Sequence, residues 1–350
     1  ALYGQNSTIW TSPAIQHRPR ARRPARPSSL YRRSCSTCVR VGDPRRTLGG
    51  VLDHKVDDAL RREVTVGRDQ EERVALVALM EGAKDLGLTQ AQLRARFNKG
   101  DLPSAVLASA GQPDNDEDAL FSLANPVTEA SSAEMRERLL AAAAKRLAAW
   151  ERAGHEFVAF FEDDYPPQLA TAYDNPFILF YAGTLADDFN SISIVGSREP
   201  SESARRFAAS LANIAAGEEV TVVSGLALGI DRAAHEAALD AGGRTVAVIG
   251  TGLDRFYPPE HEALQRRIMT EGLVVSQFFP GSGPTKATFP MRNATMSAYS
   301  ALTVIVEARE KSGTRIQAER AVKHGRPLVL TQQVVRDTTW GRKYFEEGYD

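Results

Sequence analysis

SISIVGSREPSESARR (residues 191–206) reads without a break as a strand, a glycine turn and a helix. Ile192, Ile194 and Val195 form a short apolar run that feeds into Gly196, and Ser201 stands where a helix N-cap is preferred. Beyond it Ala204, Phe207, Ala208, Leu211 and Ala215 recur at helical spacing as one apolar stripe. The unit then repeats. Strands are expected at 191–195, 220–223, 245–249, 273–276, 302–306 and 327–330. Helices are expected between and after them, at 201–216, 231–241, 259–270, 290–300 and 315–324. Continuous apolar strands alternating with amphipathic helices predict a doubly wound, mainly parallel α/β sheet covered on both faces.

Upstream the pattern changes. HEFVAFFEDDYPPQLATAYDNPFILFYAGTL holds a strand, a Tyr-Pro-Pro turn at 165–167, a short helix and a second strand ending at Gly183. SSAEMRERLLAAAAKRLAAWERAG is rich in strong helix formers and stops at Gly154, and shorter helices are expected over 70–110, one of them capped by Thr89. GQPDNDEDALFSLANP between these helices reads as an acidic surface connection. Residues 1–50 carry ten arginines, no lysine and one acid, Asp43, so the net charge of -1 hides a basic tail on an acidic body. Pro, Arg and Ser without apolar periodicity, as in RPRARRPARPSSLYRR, predict disorder, with phosphate binding as the alternative use of that charge. The chain thus divides into a disordered Arg-rich tail (1–60), a small helical domain (65–150) and an α/β domain (155–350).

Composition narrows the function. Apolar residues at 43% allow a sizeable core, and no apolar run of membrane-spanning length occurs, so no membrane partner is expected. Cys35 and Cys38 form one C-x-x-C with no second ligand pair, so no metal is expected, and the otherwise cysteine-free body fits the cytoplasm.

In open α/β sheets ligands sit beyond the carboxyl ends of the strands. Here those ends carry GSREPS (196–201), SGLALGID (224–231), GTGLDRFYPPE (250–260), SQFFPGSGPTKATFPMRN (276–293) and EAREKSGTRIQ (307–317). Glycine-rich turns into helix N-termini suit phosphate, and Arg198, Lys286, Arg292 and Arg315 would supply charge and forked donors to that rim. Catalysts are scarce. Asp231 and His235 share a helix face, and a structural pair is expected, with Asp231 as N-cap. No H-E-x-x-H and no full phosphate-loop motif is present.

The ordered set GSREPS, SGLALGIDRAAHEAAL, AGGRTVAVIGTGLDRFYPPE, FPMRNATMSAYS and VIVEAREKSGT resembles the DNA-processing A family (DprA, also called Smf), over about residues 155–335. The resemblance implies a Rossmann-like domain that binds single-stranded DNA in DNA uptake and recombination and hands it to a RecA-type recombinase, with no established enzymatic activity and no cofactor. It also leaves a homodimer open. Carried onto this chain, the DNA phosphate contacts would come from Gly196, Ser197, Arg198, Ser224, Gly225, Arg292 and Asn293, with Lys286 in a loop of variable length. Single-strand binders also use stacking platforms, and Phe279 and Phe289 are the candidates, with Phe278 and Tyr257 nearby.

The sequence departs from the family pattern at Ala294, at Ala298-Tyr299-Ser300 and at Gln277. The alternative is a nucleotide-binding sensor or a phosphoribohydrolase-like enzyme on the same fold, for which KSGTRIQAE offers Gly313 and Thr314. In that reading Gln317 stands where the hydrolase glutamate would be, and Glu319 lies two residues late.

Overall fold

The computed structural model describes residues 9–11, 69–110 and 129–346. The C-x-x-C pair, most of the Arg-rich tail and the acidic connection 111–128 lie outside the described residues.

The parallel sheet contains β4 (Ser191–Val195), β5 (Thr221–Ser224), β6 (Thr245–Val248), β7 (Leu273–Ser276), β8 (Leu302–Ile305) and β9 (Leu328–Thr331). Each boundary falls within one residue of the expected one, because every strand is an apolar run bounded by polar or glycine turns. Two antiparallel strands, β2 (Glu156–Ala159) and β3 (Ile178–Gly183), with the short helix α5 (Pro167–Ala170) between them, extend the sheet beyond β7, and β1 (Ile9–Thr11) pairs antiparallel with β9 at the other edge. The full order is β1-β9-β8-β4-β5-β6-β7-β3-β2. β1 corrects the expectation of disorder for those three residues: Ile-Trp-Thr is a β-prone triplet, and it pairs with Val329, Leu330 and Thr331 of the edge strand.

Strand order reverses where β4 lies between β5 and β8. α6 (Glu202–Gly217) follows β4 and α10 (Gly313–Lys323) follows β8, so their N-termini flank that reversal. α7 (Ile230–Asp240) follows β5 and α9 (Thr288–Tyr299) follows β7. α9 begins two residues earlier than expected, which places the FPMRN motif on the first turns of a helix.

Alternation along the strands sorts the core by face. Ile194, Val222 and Val304 pack on one face with Ala204, Ala208, Ile230 and Ala234 of α6 and α7. Val195, Val223, Val246 and Ile305 point to the other face, against Met296, Tyr299, Ala318 and Ala321 of α9 and α10. The helical block, comprising α1 (69–82), α2 (Gln90–Asn98), α3 (Pro103–Ser109) and α4 (Glu129–Arg152), shares a core with the far end of the sheet. Leu76, Leu79, Leu93 and Leu147 pack with Phe180, Val274 and Ile268, the last from α8 (Glu262–Glu271). Local signals set this block as expected: Thr89 and Gln92 form a reciprocal capping box at α2. Trp150, near the end of α4, stands edge-on to Phe180 at 5.0 Å and 89°.

Candidate functional site

A cleft of about 460 Å³ opens at the strand-order reversal, beyond the carboxyl ends of β4 and β8. Its walls are the 196–199 loop, Asp231, the Phe289–Asn293 turn of α9, and the 309–314 segment that leads into α10. The sequence-predicted residues divide sharply on it.

Arg198 is exposed and makes no hydrogen bond or ion pair among the described residues. Its guanidinium carbon lies 5.6 Å from the centroid of the Phe289 ring, within cation–π range. Tyr257, 40% exposed, lies 5.7 Å from the same ring at an interplanar angle of 43°. Ser197 lines the cleft and its Oγ accepts the Glu199 N–H at 3.1 Å, which fixes the turn.

Arg292 is 6% exposed. Its Nη1 donates to the Gly225 carbonyl and to Val248 O at 3.0 Å, and its Nε donates to Asn293 Oδ1 at 3.0 Å. Nη2, by contrast, makes no hydrogen bond among the described residues. Burial pulls the Arg292 pKa down and the charge of Arg198 pulls it further, while Asp231 opposes both. Two like charges beside one cleft favour an anion between them. Asn293 lines the cleft and its Nδ2 makes a long bond of 3.4 Å to Gly313 O, tying α9 to the start of α10.

The loop before α7 is shaped for Arg292. A Cβ on Gly225 would overlap the guanidinium, so only glycine admits it. Gly229 has φ 81°, and a Cβ there would overlap the Ser197 and Arg198 carbonyls, so this glycine lets the two loops lie against each other. Asp231 accepts from Gly225 N at 3.1 Å and Ala227 N at 3.3 Å. It thus holds the loop, whereas the sequence predicted it as N-cap; Gly229 occupies that position. Burial raises the Asp231 pKa, against the lowering effect of Arg292. His235 is fully buried, with Nδ1 2.7 Å from Thr245 Oγ1. Thr245 already donates to Val222 O, so His235 Nδ1 carries the hydrogen. Burial, then the neighbouring His261, lowers its pKa to about 3, and it is a neutral core group.

Several expected residues fall elsewhere. Ser224 is fully buried and donates to Ile194 O at 2.7 Å, so its hydroxyl serves the sheet. Gly225 gives its N–H to Asp231 and its carbonyl to Arg292. Phe279 belongs to the core beside the helical block, 4.9 Å from Trp150 and 6.0 Å from Phe180, and leaves Phe289 as the ring at the cleft. Lys286 and Arg315 are exposed and stand outside the cleft wall. Arg309 and Lys311, in the same EAREKSGTRIQ segment, take that place. Thr314 and Gln317 share a helix face, and Arg315 points about 100° away. Glu319 is exposed and pairs with Lys323 at 3.0 Å, and it does not line the cleft.

The two helix ends at the reversal are built differently. Ser201 caps α6, accepting from Ala204 N at 3.2 Å. Ser201 N and Oγ both donate to the Glu307 carboxylate, at 3.1 and 2.6 Å. The α6 N-terminus, which a dinucleotide fold would offer to pyrophosphate, therefore already holds an anion of its own chain. Ser312, the N-cap of α10, makes no side-chain cap bond, and no acid lies in the first turn of that helix.

Among the described residues no helix is long and apolar enough to cross a membrane, and no group of three or more His, Cys, Asp or Glu could hold a metal ion.

Comparison with known proteins agrees with this architecture. The profile of the family described as DNA recombination-mediator protein A matches residues 156–343, more than half of the chain. DNA processing protein DprA of Streptococcus pneumoniae is 43% identical over 173 residues, 49% of this chain and 60% of that relative. The X-ray structure of DNA processing protein A from S. pneumoniae superposes with a TM-score of 0.60 at 30% identity, covering 78% of this chain and 93% of that one. DNA processing protein A of Helicobacter pylori, whose structure describes a single-stranded DNA binding mode, has a TM-score of 0.50 at 28% identity, covering 55% and 88%.

Proposed function

This chain belongs to the DNA recombination-mediator protein A family, and on that premise we propose that it binds single-stranded DNA across the strand-reversal cleft. The observation that carries the reading is Arg198: an exposed guanidinium without a counter-ion among the described residues, stacked over Phe289 at the mouth of the cleft. A strand phosphate seats against Arg198 and a base against Phe289 and Tyr257, the pairing of charge and ring that single-strand binders use. Arg292, Asn293 and Ser197 set the floor and the turn. The sealed end of α6 turns away a buried pyrophosphate, whereas Arg198 reaches an exposed backbone.

The role is binding, with no catalytic step. The one amide at the hydrolase position, Gln317, has no acid-base chemistry, and Glu319 faces away. In the cytoplasm such a protein holds a strand for a RecA-type recombinase, in DNA uptake or recombination, as a monomer or a homodimer.

The test is a titration of a fluorescent oligonucleotide at several salt concentrations. Binding should weaken steeply with salt, log K falling by about 0.7 per phosphate contact against log salt. A protein that ignores oligonucleotides at low salt while binding a mononucleotide well would end this reading.

A further inference from the structure

α10 is eleven residues long, and its N-terminus reaches the cleft without a cap. The N–H groups of Gly313 and Thr314 have no acceptor among the described residues. The hydroxyls of Ser312 and Thr314 bond to each other, which uses one of their two hydrogens and leaves the other. Lys311 stands on the same wall.

A second observation is independent of the helix end. Gln317 forms part of the cleft wall, is 1% exposed, and neither its Oε1 nor its Nε2 has a partner among the described residues. Buried amides are ordinarily satisfied, and an unmet one calls for an explanation. Gln317 lies three residues beyond Thr314, and helical side chains lean toward the N-terminus, so its amide belongs to the same end of the cleft.

We propose that the α10 end of the cleft is a subsite for the phosphate monoester of a nucleotide, either the 5′-terminal phosphate of a DNA strand or a free nucleotide, with Gln317 donating to the bound ligand. In its strand form this rests on the single-stranded DNA reading above. A monoester carries nearly two charges and three free oxygens, whereas an internal diester has two free oxygens and one charge. Two backbone N–H groups, one hydroxyl hydrogen, the Gln317 amide and the Lys311 ammonium suit the former. Gln317 Oε1 then accepts from a sugar hydroxyl or a base N–H. The acids on the wall are already engaged: Asp231 with the N–H groups of Gly225 and Ala227, and Glu199 with Arg309 at 3.5 Å. Arg198 and Phe289 form a separate subsite across the cleft, so a strand that begins at α10 runs out over them.

The experiment compares two 3′-labelled oligonucleotides of one sequence, with a 5′-phosphate or a 5′-hydroxyl, by anisotropy on the full chain at low salt, alongside calorimetric titration of dTMP and thymidine. The expected result is at least fivefold tighter binding of the 5′-phosphate strand, and a preference for dTMP over thymidine. Gln317→Leu should remove the preference, and so should the isosteric Gln317→Glu, which keeps the side-chain volume and repels the phosphate. Equal affinity for the two strands, with dTMP no better than thymidine, overturns the subsite and leaves the strand reading intact. Binding of dTMP without any binding of oligonucleotides supports the subsite, with free nucleotide as its source, and overturns the strand reading. Failure of all four ligands overturns both. A preference that survives both Gln317 variants overturns the subsite as drawn here.

Discussion

Two helix N-termini meet at the reversal of strand order, and they are built in opposite ways. At α6 the chain supplies its own anion: Glu307 comes from 106 residues away to accept from both the N–H and the hydroxyl of Ser201. At α10 no side chain caps the first turn, and the amide of the buried Gln317, one turn further on, is itself unpartnered among the described residues. A helix N-terminus attracts anions by its dipole and its orphan N–H groups, yet one of these two is spent on stability. The difference teaches that the position of a loop at the carboxyl end of a strand does not make it a ligand site; what counts is whether the fold has already filled it.

The largest expected effect comes from removing the group that stands between the two ends. Arg292→Met takes donors from the Gly225 and Val248 carbonyls and leaves Asp231 without its nearby positive charge. Breaking a buried charge arrangement of this kind costs on the order of 3 kcal/mol, so the urea midpoint should drop clearly and oligonucleotide binding should fall with it. A midpoint equal to that of the parent would mean Arg292 is a ligand group alone.

Acid challenges the sealed side next, because α7, which carries His235, packs against α6. The folded-state pKa of His235 is lowered to about 3, from burial first and His261 second. A His depressed on folding is protonated more readily in the unfolded chain. Its contribution is therefore complete above pH about 6.5 and is lost progressively as pH falls toward 3. By pH 5 the loss should reach roughly 2 kcal/mol, read as a difference in unfolding free energy between pH 7.5 and pH 5. In His235→Gln that difference should shrink; an unchanged difference would place the acid sensitivity elsewhere.

Opening the sealed end is a smaller perturbation. Glu307→Ala strips Ser201 of its acceptor and should cost about 1–2 kcal/mol in stability. Oligonucleotide affinity should hold or rise, since a negative charge leaves the rim. If affinity instead collapsed, the α6 end would be part of the site and the two helix ends would not differ in role.

How much of this could be read in the sequence follows from the range of each interaction. β4 to β9 were legible because each is a local run of Val, Ile and Leu between turns, and Ser201 and Thr89 announce their caps within three residues. Ser197, Arg198, Phe289, Arg292 and Asn293, from motifs far apart in the chain, all line the cleft. What the local sequence does not carry is long-range. Phe279 turns to the core because Trp150, in a helix upstream of the whole α/β domain, packs on it. Ser224 is lost to Ile194 O on the neighbouring strand, and Glu307 to Ser201 on the far side of a crossover. Arg315 lies outside the cleft wall and Gln317 on it, in a helix that starts at Gly313, two residues before the periodicity predicts.

Arg198 tests the central claim most directly, because it is exposed, supports no packing core and makes no ion pair among the described residues. Anisotropy titration of one single-stranded oligonucleotide should show Arg198→Ala binding roughly tenfold more weakly than the parent, a loss of about 1.4 kcal/mol, with the salt slope reduced by about 0.7 and the melting temperature unchanged. Equal affinity and equal salt slope in parent and variant would contradict the account.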